Sequence, residues 1–188
     1  MILPIVSFGS PVLRKKCNEI HPNHPELDLL ISNMWETMYN ANGVGIAAPQ
    51  INKSIRVFLI DTTPFFDDDE YIDNKEKIVK KVFINAKIIE EKGEMWNFKE
   101  GCLSIPNIRE DVSRKTNITI EYLDQRFVKH RDTFSGITAR VIQHEYDHIE
   151  GILFTDKISL LRRKMIKRKL NDISKGKVDV SYKMKFLK

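Results

Sequence analysis

Between Gly136 and Gly151 the chain reads GITARVIQHEYDHIEG, and this stretch constrains the fold more tightly than any other. Ser135 is an acceptable N-cap and Gly151 a suitable stop, so the pattern predicts a helix from Gly136 to Glu150. On a helix, His144 and His148 lie one turn apart on the same face, with Glu145 beside them, the H-E-x-x-H arrangement. Two readings follow. The imidazoles converge on a cation with a carboxylate at hand, or three polar residues share a solvated face. In the first case two histidines need a third ligand from elsewhere in the chain, because a catalytic cation keeps three protein ligands and one open position. The helix must then be packed with this face against a distant segment.

The chain has room for such packing. Its 188 residues are enough for one domain with a sizeable core and short for two. With 41% hydrophobic and 30% charged residues the composition is that of an ordinary globular protein. No apolar run approaches the roughly 18 to 20 residues of a membrane span. The opening MILPIVSFGS lacks a basic region and is interrupted by Pro4, so it does not read as a signal peptide, and a cytoplasmic protein is expected. Cys17 and Cys102 are expected to be reduced, since one disulfide would not scaffold a chain of this length. The net charge of +5 makes a polyanionic neighbour such as RNA plausible without making nucleic acid the substrate.

Residues 25–42, PELDLLISNMWETMYNAN, place Leu27, Leu30, Ile31, Met34 and Met38 at helical spacing, with Gly43 as the stop. The following GVGIAAPQ is small and turn-prone, a composition for a loop that approaches a ligand closely. Residues 55–61 and 81–85 read as strands, separated by an excursion whose acidic run, Asp67 to Glu70, lacks the spacing of a calcium loop and is assigned no function. Residues 116–134 read as a hairpin turning at Gln125-Arg126. Strands followed by the 136–150 helix and a basic C-terminal helix over about 157–175 argue an α+β fold in a single domain.

Few residues qualify as the third ligand. Glu150 lies about half a turn from His148 and faces elsewhere, and His21, His24 and His130 have no paired ligand. Cys102, in Glu100-Gly101-Cys102-Leu103-Ser104, is different, because Gly101 removes bulk beside a thiol that a metal would hold as thiolate. Taken alone, Cys102 reads more readily as a buried structural cysteine.

Three segments together resemble a known family. Peptide deformylases carry G-x-G-x-A-A-x-Q, E-G-C-L-S and Q-H-E-x-D-H, and this chain has GVGIAAPQ, EGCLS and QHEYDH in that order. The resemblance implies antiparallel β-sheets packed around a central metal-binding helix, with an N-terminal and a C-terminal helix. It implies that Cys102, His144 and His148 bind one divalent metal, Glu145 carries protons, and the Gln50 side chain and the Leu103 backbone N–H stabilise an oxyanion. The activity implied is removal of the formyl group from the formyl-methionine of nascent polypeptides. Gly45 matches the family's backbone contact to the substrate. Val44, Ile137 and Val141 are expected to wall the methionine pocket, with Ile105 and Arg109 near the peptide, although helical spacing assigns Ile137 and Val141 equally well to the core.

Ligand chemistry alone, two imidazoles and a thiolate, points to zinc. The family points to ferrous iron, with zinc, nickel or cobalt able to take its place. Asp147 is expected either to orient a ligand or to pair with a residue such as Arg114, and Arg140 to be solvated or salt-bridged. The C-terminal helix is expected to pack through Ile158, Leu161, Met165 and Leu170. Its cluster Arg162, Arg163, Lys164, Lys167, Arg168 and Lys169 raises the further expectation of a transient, salt-sensitive ribosome contact by a monomeric enzyme. Two rivals remain: a zinc peptidase, which has no use for GVGIAAPQ, and a structural metal or RNA-binding module, which leaves Glu145 and Gln50 unexplained.

Overall fold

The computed structural model describes residues 1–66 and 78–187; the acidic run Asp67 to Glu70 lies outside the described residues. The described elements are β1 (Ile5–Val6), α1 (Leu27–Asn40), β2 (Gly45–Ala47), β3 (Val57–Asp61), the short helical turn α2 (Thr63–Phe66), β4 (Lys80–Cys102), β5 (Ile105–Leu123), β6 (Lys129–Ser135), α3 (Gly136–Ile149), α4 (Leu160–Ser174) and β7 (Met184–Lys185). Strands β2 to β6 form one antiparallel sheet in sequence order, and β1 pairs in parallel with β7. The expected α+β class holds, with one large antiparallel sheet and a small parallel pair.

Strands β4 and β5 are far longer than the strand read over residues 81–85 and the first arm of the hairpin read from residue 116. The outer part of β4, from Glu90 to Met95, is exposed on both faces, so no hydrophobic period marks it. In β5 the alternation is regular, but the inward positions include the charged Glu110 and Arg114. The register of the β4–β5 pair jumps at its end: Gly101 opposes Arg109, whereas Cys102 opposes Ile105. Such an irregularity re-aims a side chain relative to the regular pleat, and here it sits at Cys102.

Helix α3 lies across β2, β3 and β5. Its Ala139, Val141, Ile142 and Ile149 pack with Phe58, Phe83 and Ile120 of the sheet. Full burial of each large apolar side chain contributes roughly 1.5 to 3 kcal/mol, so the helix is held by its apolar neighbours and its polar residues follow. The helix stops as expected at Gly151, where φ is +75° and an added Cβ would meet the Arg14 backbone at 2.9 Å.

Helix α1 follows its predicted stripe, with Leu27, Ile31, Met34 and Met38 buried. Its stop differs in mechanism: Asn42 takes the positive φ of 51°. Gly43 serves packing instead, since a Cβ there would lie 2.9 Å from Leu103 Cδ1. The segment expected as a loop after it contains β2 and a 3-10 turn over Ala48–Ile51. In α4 the buried face is Ile166, Leu170 and Ile173, whereas Leu161 and Met165 are exposed, a correction to the expected stripe. Ser159 caps this helix through its Oγ, which accepts from Arg162 N–H at 3.2 Å. The tail beyond α4 then returns to pair β7 with β1.

Candidate active site

Helix α3 and the end of β4 bring together the residues that the motifs singled out. The donor atoms of Cys102, His144 and His148 all lie within 4.8 Å of one another. His148 Nε2 stands 3.3 Å from Cys102 Sγ. A tetrahedral cation with ligand bonds of about 2.0 to 2.3 Å needs donor atoms that close, and thiolate plus two imidazoles is a donor set that divalent transition metals accept. The residues present fit such a cation.

Glu100, which sequence reasoning passed over, organises this group. Its buried carboxylate accepts from Arg114 Nε at 2.6 Å and Nη2 at 2.9 Å, and from Arg140 Nη1 at 2.9 Å. It also lies 2.9 Å from His144 Nδ1. Burial alone would raise its pKa, but hydrogen bonds and charge from Arg114 and His144 hold it well below the usual carboxylate range. An ionised carboxylate can only accept, so Nδ1 donates to it and Nε2 is the His144 atom left to face a cation. Burial opposes charge on His144 as well, yet its contacts with Cys102 and Glu100 hold its pKa well above the ordinary value while no cation is bound, so binding a cation releases the proton from Nε2. Burial, followed by the charges of His144 and Arg114, pushes His148 well below it, toward the neutral imidazole that binds metals.

Asp147 pairs with Arg114 Nη1 at 2.7 Å and with Lys157 Nζ at 3.3 Å. It therefore reaches the site through Arg114. Arg140 is salt-bridged rather than solvated: it is 2% exposed and its guanidinium lies 4.5 Å from the Trp96 ring centroid. Glu150 faces away, as expected, and pairs with Arg56 at 2.6 Å and Lys16 at 3.1 Å.

Glu145 is buried, and its Oε2 makes no hydrogen bond among the described residues. Burial pushes its pKa up to about 7, a value suited to exchanging protons near neutral pH. Gly45 faces it, without a side chain to intervene. Gln50 is also buried, and its Oε1 accepts from the Ala47 N–H at 2.8 Å. A backbone N–H can only donate, so this contact fixes the amide orientation and turns Nε2 toward Cys102 Sγ at 3.5 Å and Ser104 Oγ at 3.4 Å.

These groups border a cleft of about 790 Å³. Gln50, Cys102, Leu103, His144 and Glu145 line it, and so do Val44, Gly45, Ile105, Arg109, Ile137 and Val141. His148 lies behind it at 1% exposure. Ile105, Ile137 and Val141 are buried, so they serve the core as well as the cleft wall. Phe65, Phe98 and the segment Asp179 to Tyr182 also line the cleft and were not anticipated; no local sequence pattern marks them, because the backbone path alone brings them there.

The family model for polypeptide deformylase matches residues 2–164. The chain belongs to the peptide deformylase family. Similar proteins include the peptide deformylase of Christiangramia forsetii, 59% identical over 99% of this chain and 96% of the relative, and that of Flavobacterium johnsoniae, 57% identical over the same shares. Among solved structures, a peptide deformylase from Legionella pneumophila is similar with a TM-score of 0.80 at 36% identity, covering 94% of this chain and 98% of that one. The chain is thus an enzyme of a hydrolase family whose members are metalloenzymes and whose general activity is deformylation of N-terminal formyl-methionine. No helix among the described residues of the deformylase is long and apolar enough to cross a membrane.

Proposed function

We propose that this deformylase removes the formyl group from the N-terminal formyl-methionine of newly made polypeptides and releases formate, with Cys102, His144 and His148 holding one divalent cation. The observation that carries this reading is the convergence of those three donors beside the buried Glu145 carboxylate, whose Oε2 makes no hydrogen bond among the described residues, at the cleft. When bound, the cation supplies Lewis acidity, which brings a hydroxide nucleophile within reach near neutral pH.

The remaining chemistry falls to side chains and backbone. Glu145 takes a proton from the attacking water and returns one to the leaving amine. Attack on the formyl carbon places negative charge on its oxygen. The Gln50 Nε2–H, already oriented by Ala47, and the Leu103 N–H donate to that oxygen, each such donor being worth about 2.7 to 4 kcal/mol of barrier. Val44, Ile137 and Val141 enclose the methionine side chain. β2 is an edge strand, so Gly45 can offer backbone pairing to an extended peptide, and Ile105 and Arg109 flank the chain beyond it.

The native cation in this proposal is Fe²⁺, which a thiolate leaves open to oxidation, with Zn²⁺, Ni²⁺ or Co²⁺ as replacements. The test is formate release from a short N-formyl-methionyl peptide by anaerobically purified protein, alongside an N-acetyl peptide and Glu145→Ala. Release from the formyl peptide alone, lost in a variant that retains metal, is expected. Absence of release after reconstitution with Fe²⁺, Ni²⁺ or Co²⁺ would sink the reading.

The same proposal includes a cytoplasmic, monomeric enzyme that meets nascent chains through transient ribosome contact. Lys164, Lys167, Arg168 and Lys169 of α4 are exposed and support it, while Arg162 and Arg163 already pair with Glu110 and Asp156. Removing the helix would expose the core that Ile166, Leu170 and Ile173 fill, so reversal of charge at Lys167, Arg168 and Lys169 is the sound test. Co-sedimentation with ribosomes at low salt that is unchanged by the reversal would dismiss the contact.

A further inference from the structure

The chain beyond residue 164, where the family match ends, returns to the active-site cleft. Asp179, Val180, Ser181 and Tyr182 line the same cleft as Gln50, Cys102 and Glu145. This strap is fixed on both sides. Asn107 Nδ2 donates to the Asp179 carbonyl at 3.1 Å, and the Ile5 N–H donates to the Lys183 carbonyl at 2.9 Å, where β7 joins β1. Between these anchors the Tyr182 hydroxyl donates to the Leu103 carbonyl at 2.7 Å.

Leu103 belongs to the two-residue connection between β4 and β5, next to Cys102, where the strand register jumps. A connection without a regular ladder takes its peptide orientation from outside partners. The Phe8 N–H holds the Ser104 carbonyl at 2.8 Å, and Tyr182 holds that of Leu103. A phenol is uncharged near neutral pH and a carbonyl only accepts, so the direction of the bond is settled. The Tyr182 ring also packs against the core cluster that includes Met38 and Ile46, which limits its own freedom.

We propose that Tyr182 is a positioning residue for deformylation: by holding the Leu103 carbonyl it restrains the Leu103–Ser104 peptide and, across the Leu103 Cα, the adjoining peptide whose N–H meets the developing oxyanion. This inference rests on the deformylase reading of the site. Donors aimed at a charge that forms only in the transition state act on kcat, and small displacements of them are felt there rather than in ground-state binding.

The test is Tyr182→Phe in the full-length, metal-loaded enzyme, which keeps the packed ring and removes the hydroxyl. Three readouts are compared with wild type: kcat and KM on a short N-formyl-methionyl peptide, metal per chain with the thermal midpoint, and amide hydrogen exchange at residues 103–105 in metal-loaded and metal-free protein. A kcat lower by on the order of fivefold is expected, with KM within about twofold, metal and midpoint unchanged, and faster exchange at Leu103 and Ser104. Unchanged kcat, a rise in KM alone, or loss of metal would overturn the proposal, the last because the bond would then serve Cys102. If wild type released no formate, the deformylase reading would fail. Exchange at Leu103 would still separate the two questions: faster exchange in Tyr182→Phe would uphold its positioning, and unchanged exchange would overturn it.

Discussion

Glu145 occupies the space that a side chain on residue 45 would fill: a Cβ built on Gly45 would lie 2.5 Å from Glu145 Oε1 and 2.8 Å from its Cγ and Cδ. The Glu145 side chain therefore fills the space between edge strand β2 and helix α3, and the buried carboxylate keeps its place at the cleft because position 45 is bare.

Gly45→Ala is accordingly expected to displace Glu145. Overpacking of this kind costs about 1 to 3 kcal/mol. The thermal midpoint should fall, and kcat/KM should drop by at least on the order of tenfold while metal per chain is retained, because the three donor residues are untouched. Wild-type turnover in Gly45→Ala would show that the carboxylate has freedom that its surroundings do not display.

Burial that raises the Glu145 pKa from 4.5 to about 7 carries a stability cost with a definite sign. Between those values the folded chain holds a proton that the unfolded chain has released, so the stability it contributes is present in full below the unfolded value and is lost as pH rises through about 7. In chelated, metal-free protein, Glu145→Gln should thus be more stable than wild type at pH about 8, by up to about 3 kcal/mol, and the difference should vanish toward pH about 4. Denaturant titrations of both proteins across that range check it; a difference that does not depend on pH would contradict the assignment.

Glu100 neutralises Arg114 and Arg140 in the interior and orients His144. Replacing it by Gln takes the carboxylate from buried Arg140 and leaves Arg114 with Asp147, a loss of about 3 to 5 kcal/mol. A group that orients a metal-binding histidine typically affects affinity by about 10- to 100-fold, so metal competition assays on Glu100→Gln should show weaker binding as well. Wild-type affinity would mean that the packing of α3 suffices to aim His144.

Gln50→Ala should reduce kcat by about 10² to 10³ with little change in bound metal, since it removes an oxyanion donor and no ligand. Gln50→Glu tests the orientation argument: it keeps the shape but sets an acceptor against the developing charge, so it should rescue nothing. Steady-state kinetics with metal analysis decide both, and an active Gln50→Glu would remove Gln50 from that role.

Much of this site was legible beforehand because short-range spacing carries it. His144 and His148 share a face of any helix, and α3 was marked by Ser135 and Gly151 at its ends; α1 announced itself by its apolar stripe. Family motifs then drew Cys102, Gln50 and Leu103 into the same site. The exposed outer reach of β4 carried no such signal, and in β5 the inward Glu110 and Arg114 broke the hydrophobic alternation. The exposure of Leu161 and Met165 was missed because a helix with charges all round offers several plausible stripes.

The local sequence by itself determined which residues are able to bind a cation, which helix carries two of them, and where that helix stops, since these depend on residue type and on a repeat of a few positions. Only the tertiary structure decided that Glu100 joins Arg114, Arg140 and His144, that Gly45 makes room for Glu145, and that Tyr182 reaches back to Leu103. Those relationships join residues 14 to 100 positions apart, and they exist because the sheet, α3 and the C-terminal strap bury their apolar faces against one another. The polar groups carried inward must then find partners there, at the cost of remaining unsatisfied if they do not.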